Sequence, residues 1–228
     1  MKDIFLVDMD ETLLDFQKTE LVNLTRSLAQ YGVTATKEMI SDFHRLNDGL
    51  WKSLERGEIT RERLKVLRFE LLFEKYGIER DAEAVSDTYF DGFLSVCFPF
   101  EGAVDFLKTL SERGRVYIVT NGGLAIQKRH LKDAGFLPYI RRAFISEEVG
   151  FNKPSIEFAD FVESQIEDYD RSRAVWIGDS LSSDGQCAKN RGIDFILFAP
   201  RGIPHDYVGA VAKSYPELLQ LCGSDEKN

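Results

Sequence analysis

The stretch Ile4-Phe5-Leu6-Val7-Asp8-Met9-Asp10-Glu11-Thr12-Leu13 opens with four apolar residues and then turns abruptly acidic. A short apolar run with no alternation suits a strand covered on both faces, as in a parallel sheet. The pattern recurs. Val116–Val119 ends at Thr120-Asn121-Gly122-Gly123, Ala143–Ile145 at Ser146-Glu147-Glu148, Ala174–Ile177 at Gly178-Asp179-Ser180, and Phe195–Phe198 at Ala199-Pro200-Arg201-Gly202. Between these runs lie amphipathic segments: Ala103–Arg113, Ala125–Ala134, Ile156–Ile166 and Ser183–Asn190, with Gly114, Gly135 and Gly192 as stops. Strand alternating with helix predicts an α/β fold, a Rossmann-like, doubly wound parallel sheet.

One region breaks the alternation. From Asp15 to Cys97 only helical patterns occur, over Thr19–Tyr31, Thr36–Glu55, Thr60–Tyr76 and Asp81–Ser95, punctuated by Gly32, Gly57 and Gly77. Residues 15–97 are therefore expected to form a helical insertion, large enough to act as a lid, in a core made of 1–14 and 98–228. Ser224 to Asn228 read as a frayed tail.

Open α/β sheets bind ligands beyond the carboxyl ends of their strands. The polar residues at those ends are thus expected to converge: Asp8 and Asp10, Thr120 and Asn121, Lys153, and Asp179 with Asp184. Several carboxylates with a backbone carbonyl make a hard oxygen site suited to Mg²⁺. A carboxylate can also attack phosphorus, and phosphoryl transfer needs its equatorial oxygens neutralised. Lys153 and a metal would bring the positive charge. Thr120 and the amides of Asn121, Gly122 and Gly123 would grip the phosphoryl oxygens. Asp10 would protonate the leaving group and later deprotonate water. Each piece has a plainer meaning by itself. An acidic pair is usually a solvated turn, Asn-Gly is a common turn dipeptide, and Asp184 is placed to cap a helix.

Asp8-Met9-Asp10-Glu11-Thr12-Leu13 resembles the D-x-D-x-T-[LV] signature of the haloacid dehalogenase-like superfamily. Val119-Thr120-Asn121-Gly122, Lys153-Pro154 and Gly178 to Asp184 are similar to its second, third and fourth motifs, in order, over nearly the whole chain. The resemblance implies Asp8 as nucleophile and metal ligand, Asp10 as acid/base and a ligand through its main-chain carbonyl, and Asp179 as a further ligand. Asp184 and Ser180 would support them. It also makes the helical insertion a C1-type cap. Asp10 is the aspartate that true haloacid dehalogenases lack, so a carbon–halogen substrate is not expected. Glu11 departs from the commoner Asp or Gly.

In the insertion, Asn47-Asp48-Gly49-Leu50-Trp51, Gly57 to Arg61 and Arg68-Phe69 look like the cap of bacterial pyrimidine 5′-nucleotidases of the house-cleaning type, as does Asp15-Phe16. That likeness implies a nucleoside monophosphate as substrate and offers Asn47, Trp51 and Arg68 as contacts. The alternative for each is cap core or a solvated helix face. Two other functions use similar parts: a sugar-phosphate phosphatase or phosphomutase of the same superfamily, and a phospho-acceptor module resembling a response-regulator receiver. The receiver would be shorter, lack a lid and place its acidic pair before the acceptor strand.

Composition narrows the partners. Twenty-nine basic against 38 acidic residues give a formal charge of −9, which disfavours nucleic-acid polymers and anionic membranes but not a small phosphate ester. No apolar run approaches the roughly 20 residues of a membrane span, and Ile4–Val7 is too short for a signal sequence. Cys97, Cys187 and Cys222 show neither disulfide nor zinc spacing. A cytoplasmic monomer or homodimer is expected. His44, His130 and His205 have no ligand spacing, and neither a GxxxxGK[ST] loop nor a GxGxxG turn is present.

Overall fold

Ile4–Val7 is fully buried along its length and forms β1 in a computed structural model of the chain, which describes residues 2–223. The expected frayed tail lies outside the described residues. Both neighbours of β1 run parallel to it: β2 (Arg115–Thr120), with Ile118 beside Val7, and β4 (Ala174–Gly178), with Ile177 on its other side. β3 (Arg142–Ile145) flanks β2, and β5 (Asp194–Phe198) and β6 (Ala210–Ala212) extend the sheet beyond β4. All pairings are parallel, in the order β3-β2-β1-β4-β5-β6. The order reverses direction at β1, and such a switch point opens a crevice at the carboxyl ends of the strands on either side.

The chain divides into two compact units, one drawn from residues up to Asp15 and from Phe98 onward, the other Phe16–Cys97. The second unit holds α1 (Phe16–Gln30), α2 (Lys37–Glu55), α3 (Arg61–Tyr76) and α4 (Ala82–Phe93). Thr36, Thr60 and Asp81 cap α2, α3 and α4 by accepting from backbone N–H groups of the first turn. Gly77 ends α3 at φ +61°, a left-handed conformation that costs glycine nothing. Inside, Phe43, Phe69 and Tyr89 pack with ring centroids 5.3–5.6 Å apart.

In the first unit, helices cover both faces of the sheet. On one face Leu6, Val119, Phe144 and Trp176 pack against Phe158 and Val162 of α8 (Ile156–Ser164) and Cys187 and Ala188 of α9 (Gln186–Arg191). On the other, Phe106 of α5 (Ala103–Arg113) stacks on Tyr215 of α10 (Tyr215–Leu221), which stacks in turn on Phe198. α6 (Leu124–Asp133) follows β2, and α7 (Ser146–Val149) is a single turn after β3.

The sequence pattern did not reveal β6 or α10. Ala210–Ala212 is three residues long with only Ala212 buried, so it has no apolar run to announce it. The expected Ser183–Asn190 helix begins later, at Gln186. A wide π turn, Leu181–Gly185, precedes α9, and it turns the Asp184 side chain back toward the ends of the sheet strands.

Candidate active site

Asp8 stands one residue past β1, its amide held by the Ile177 carbonyl of β4 at 2.9 Å. Its carboxylate is 6 % exposed with the rest of the residue. Lys153 Nζ donates to Asp8 Oδ1 at 2.6 Å, to Asp184 Oδ1 at 2.7 Å and to the Val119 carbonyl at 2.8 Å. Its three protons are thus accounted for. Thr12 Oγ1 donates to Asp8 Oδ2 at 3.2 Å, and Trp176 Nε1 to Asp184 Oδ1 at 3.1 Å. Asn121 fixes the lysine's backbone from both sides: its Nδ2 donates to the Lys153 carbonyl at 2.9 Å, and its Oδ1 accepts from the Lys153 amide at 2.8 Å.

Ligand oxygens of Asp8, Asp179 and Asp184 lie within 4.8 Å of one another. Desolvation lifts the Asp8 carboxyl to about 7 despite the opposing lysine. Burial likewise raises Asp179, with the charges of Asp8 and Asp184 pushing the same way. Lys153 goes up as well: burial opposes this, but Asp184 and Asp8 outweigh it. One lysine cannot neutralise three crowded carboxylates, so this corner calls for further positive charge. Oxygen donors alone, with no imidazole or thiolate among them, suit a small hard divalent cation. Asp184, expected to support the site, stands beside Asp8 and Asp179 with its Oδ1 held by Lys153.

Asp10 is turned elsewhere. Gln127 Nε2 on α6 donates to its Oδ2 at 2.7 Å. Burial raises the Asp10 carboxyl, and His130, one turn further along α6, acts against the rise through its charge. The next residue, Glu11, adopts φ +60°. Arg201, after β5, ion-pairs with Glu11 and lies 2.6 Å from Asp15.

Thr120 is buried at the end of β2, and its Oγ1 accepts the Gly122 amide at 3.0 Å. That local turn uses up the Gly122 N–H, which the sequence had offered as a phosphate donor. The hydroxyl proton of Thr120 is left to donate. Ser180 Oγ caps the π turn by accepting from Ser183 N at 3.2 Å, and its own amide reaches Asp184 Oδ2 at 3.4 Å. Gly178 has a steric reason to be glycine: a Cβ there would lie 2.7 Å from the Asp184 Cβ.

The core residues named from the sequence are therefore gathered at one strand-end cluster. Gln127, Thr12 and Trp176 belong to it without having been expected. Thr12 lay inside the first motif and was readable there, whereas Gln127 and Trp176 sit on helix and strand positions that pattern alone assigns to packing. Asn47 and Arg68 lie in the helical unit. Asn47 is buried and donates to Glu20 Oε1 at 2.6 Å; Arg68 is buried over the Phe90 ring, 5.2 Å from its centroid. Trp51 packs beside Leu50, Leu54 and Leu64, with the Arg61 guanidinium 5.6 Å above its ring.

A profile described as haloacid dehalogenase-like hydrolase matches residues 2–192. The chain is 36% identical over 196 residues to pyrimidine 5′-nucleotidase PynA of Streptococcus pneumoniae, covering 86% of this chain and 83% of that one. It is 32% identical over 191 residues to pyrimidine 5′-nucleotidase YjjG of Escherichia coli, covering 84% and 83%. Among solved structures, YfnB of Bacillus subtilis, bound to magnesium, superimposes with a TM-score of 0.91 at 29% identity, over 98% of this chain and 99% of that one.

Proposed function

The chain belongs to the haloacid dehalogenase-like hydrolases, and we propose that it is a Mg²⁺-dependent phosphomonoesterase working through an aspartyl-phosphate on Asp8, with pyrimidine nucleoside monophosphates as its substrates. The observation that carries the chemistry is the Asp8–Lys153–Asp184 cluster with Asp179 beside it. The nucleotidase relatives supply the substrate class.

In this reading an Asp8 oxygen attacks phosphorus while the ester oxygen departs with the bonding pair and takes a proton from Asp10. Water then attacks the phosphoryl group, Asp10 takes a proton back, and Asp8 and inorganic phosphate are released. Lys153 favours the ionised form of Asp8 and aims it, and the Thr120 hydroxyl donates to a phosphoryl oxygen. The carboxylates of Asp8, Asp179 and Asp184 and the Asp10 carbonyl would hold Mg²⁺, which when bound neutralises charge on the transferring group. The division into a core of 1–14 and 98–228 and a cap of 15–97 goes with this reading, and the groups that choose among phosphate esters are sought in the cap.

The test is phosphate release from a panel of nucleoside monophosphates and sugar phosphates with Mg²⁺. Pyrimidine nucleotides are expected to give the highest kcat/KM, and Asp8→Asn to reduce turnover to background. Full activity in that variant would overturn the mechanism. A marked preference for a hexose phosphate would overturn the substrate class and favour the sugar-phosphatase alternative.

A further inference from the structure

We propose that Gln127 is the positioning residue that aims the Asp10 carboxyl. The inference rests on the acid/base role given to Asp10 above. Gln127 is 2 % exposed and is placed by the first turn of α6, directly after the second motif. Its amide is wedged. A Cβ on Gly122 would come within 2.6 Å of Gln127 Cγ and would overlap the amide itself. Glycine at 122 thus makes room for Gln127, and on the far side Nε2 meets Asp10 Oδ2 at 2.7 Å. Gln127 Oε1 is buried with no hydrogen-bond partner among the described residues.

A buried amide whose carbonyl is left unbonded is destabilising. A packing residue at this site would not incur that penalty, since a leucine or methionine would fill the same space. The chemistry of an amide suits the task better than a cation would. It faces the Asp10 carboxyl with a neutral N–H donor and brings no charge beside it. It can therefore aim the Asp10 carboxyl without the charge that Lys or Arg would place there.

Gln127→Met keeps the length and volume and removes the donor. With a nucleoside monophosphate, kcat is expected to fall about 10- to 100-fold, within the range that general acid–base catalysis contributes, while KM stays within about threefold. With p-nitrophenyl phosphate, whose leaving group needs no proton, phospho-enzyme formation is expected to stay fast and its hydrolysis to slow. That gives a burst of close to one equivalent of nitrophenolate. A kcat within twofold of the parent overturns the proposal. So does an equal loss on both substrates without a burst, or a rise in KM alone. Gln127→Leu, which also removes the donor, gives the same readout if the methionine variant is insoluble. Asp8→Asn is measured alongside. If it is inactive while Gln127→Met is unimpaired, this inference fails and the phosphatase reading stands; if Asp8→Asn is active, that reading itself fails.

Discussion

Three carboxylates and one lysine share the corner where β1, β2 and β4 end, and their charges dominate what a single substitution there does. Lys153 is 2 % exposed and its ammonium is fully hydrogen-bonded within the cluster. Replacing it with methionine removes the only cation shown among them and leaves Asp8 and Asp184 facing each other. Breaking a buried pair from one side typically costs about 3–5 kcal/mol. Lys153→Met is therefore expected to lower the thermal midpoint by several degrees as well as to abolish turnover, with added Mg²⁺ restoring part of the stability and none of the activity. Calorimetry with and without the metal checks this. Retained turnover would show that the lysine's charge is dispensable. The role of Asp8 was readable because the whole D-x-D-x-T motif lies in one run of sequence. The task of Gln127 was not, because its partner Asp10 is 117 positions away and nothing in an i, i+3, i+4 pattern distinguishes a buried amide from a surface one.

At the level of elements, the helical unit shows how local chemistry sets boundaries. The sequence pattern starts these helices at Thr36, Thr60 and Asp81, which are the caps immediately before them. The same property made them visible and put them there: a short side-chain oxygen that satisfies an otherwise orphaned N–H. Thr60→Ala is expected to cost about 1 kcal/mol, a fall of roughly 2–4 °C in midpoint for a chain of this size, with kcat/KM unchanged. A loss of activity at constant stability would instead give Thr60 a part in function. Asn47 belongs to the same scale. Its amide is bonded to the buried Glu20, so Asn47→Ala is expected to destabilise by about 1–3 kcal/mol. A rise in KM without loss of stability would instead make it a substrate contact. Where an element depends on distant partners, local pattern fails. The π turn at Leu181–Gly185 takes its form while Asp184 is held by Lys153 and Trp176, and no propensity encodes that.

For the molecule as a whole, the crowded acids couple metal, protons and stability. The folded-state pKa of Asp8 is raised to about 7, against an unfolded value near 4. Between these limits the native state binds more protons than the unfolded one, so metal-free stability falls as pH rises through this window. Asp10 and Asp179, raised mainly by burial, act in the same direction. Mg²⁺ competes with those protons. Its stabilising shift is therefore expected to be larger at pH 8 than at pH 5, and chelation by EDTA to lower the midpoint more at the higher pH. Thermal unfolding at both pH values, with and without metal, measures this. A shift independent of pH would mean that the acidic cluster is not where the metal binds.

The sequence by itself determined the fold class, the helical insertion and the identity of the strand-end residues. Apolar runs, glycine stops and cap residues act over a few positions and leave a local trace. Only the tertiary structure decided the strand order, the edge elements β6 and α10 and the turning of Asp10 toward Gln127. Those depend on which distant residues exclude water from one another, and burial of that kind has no signature within a short stretch of chain.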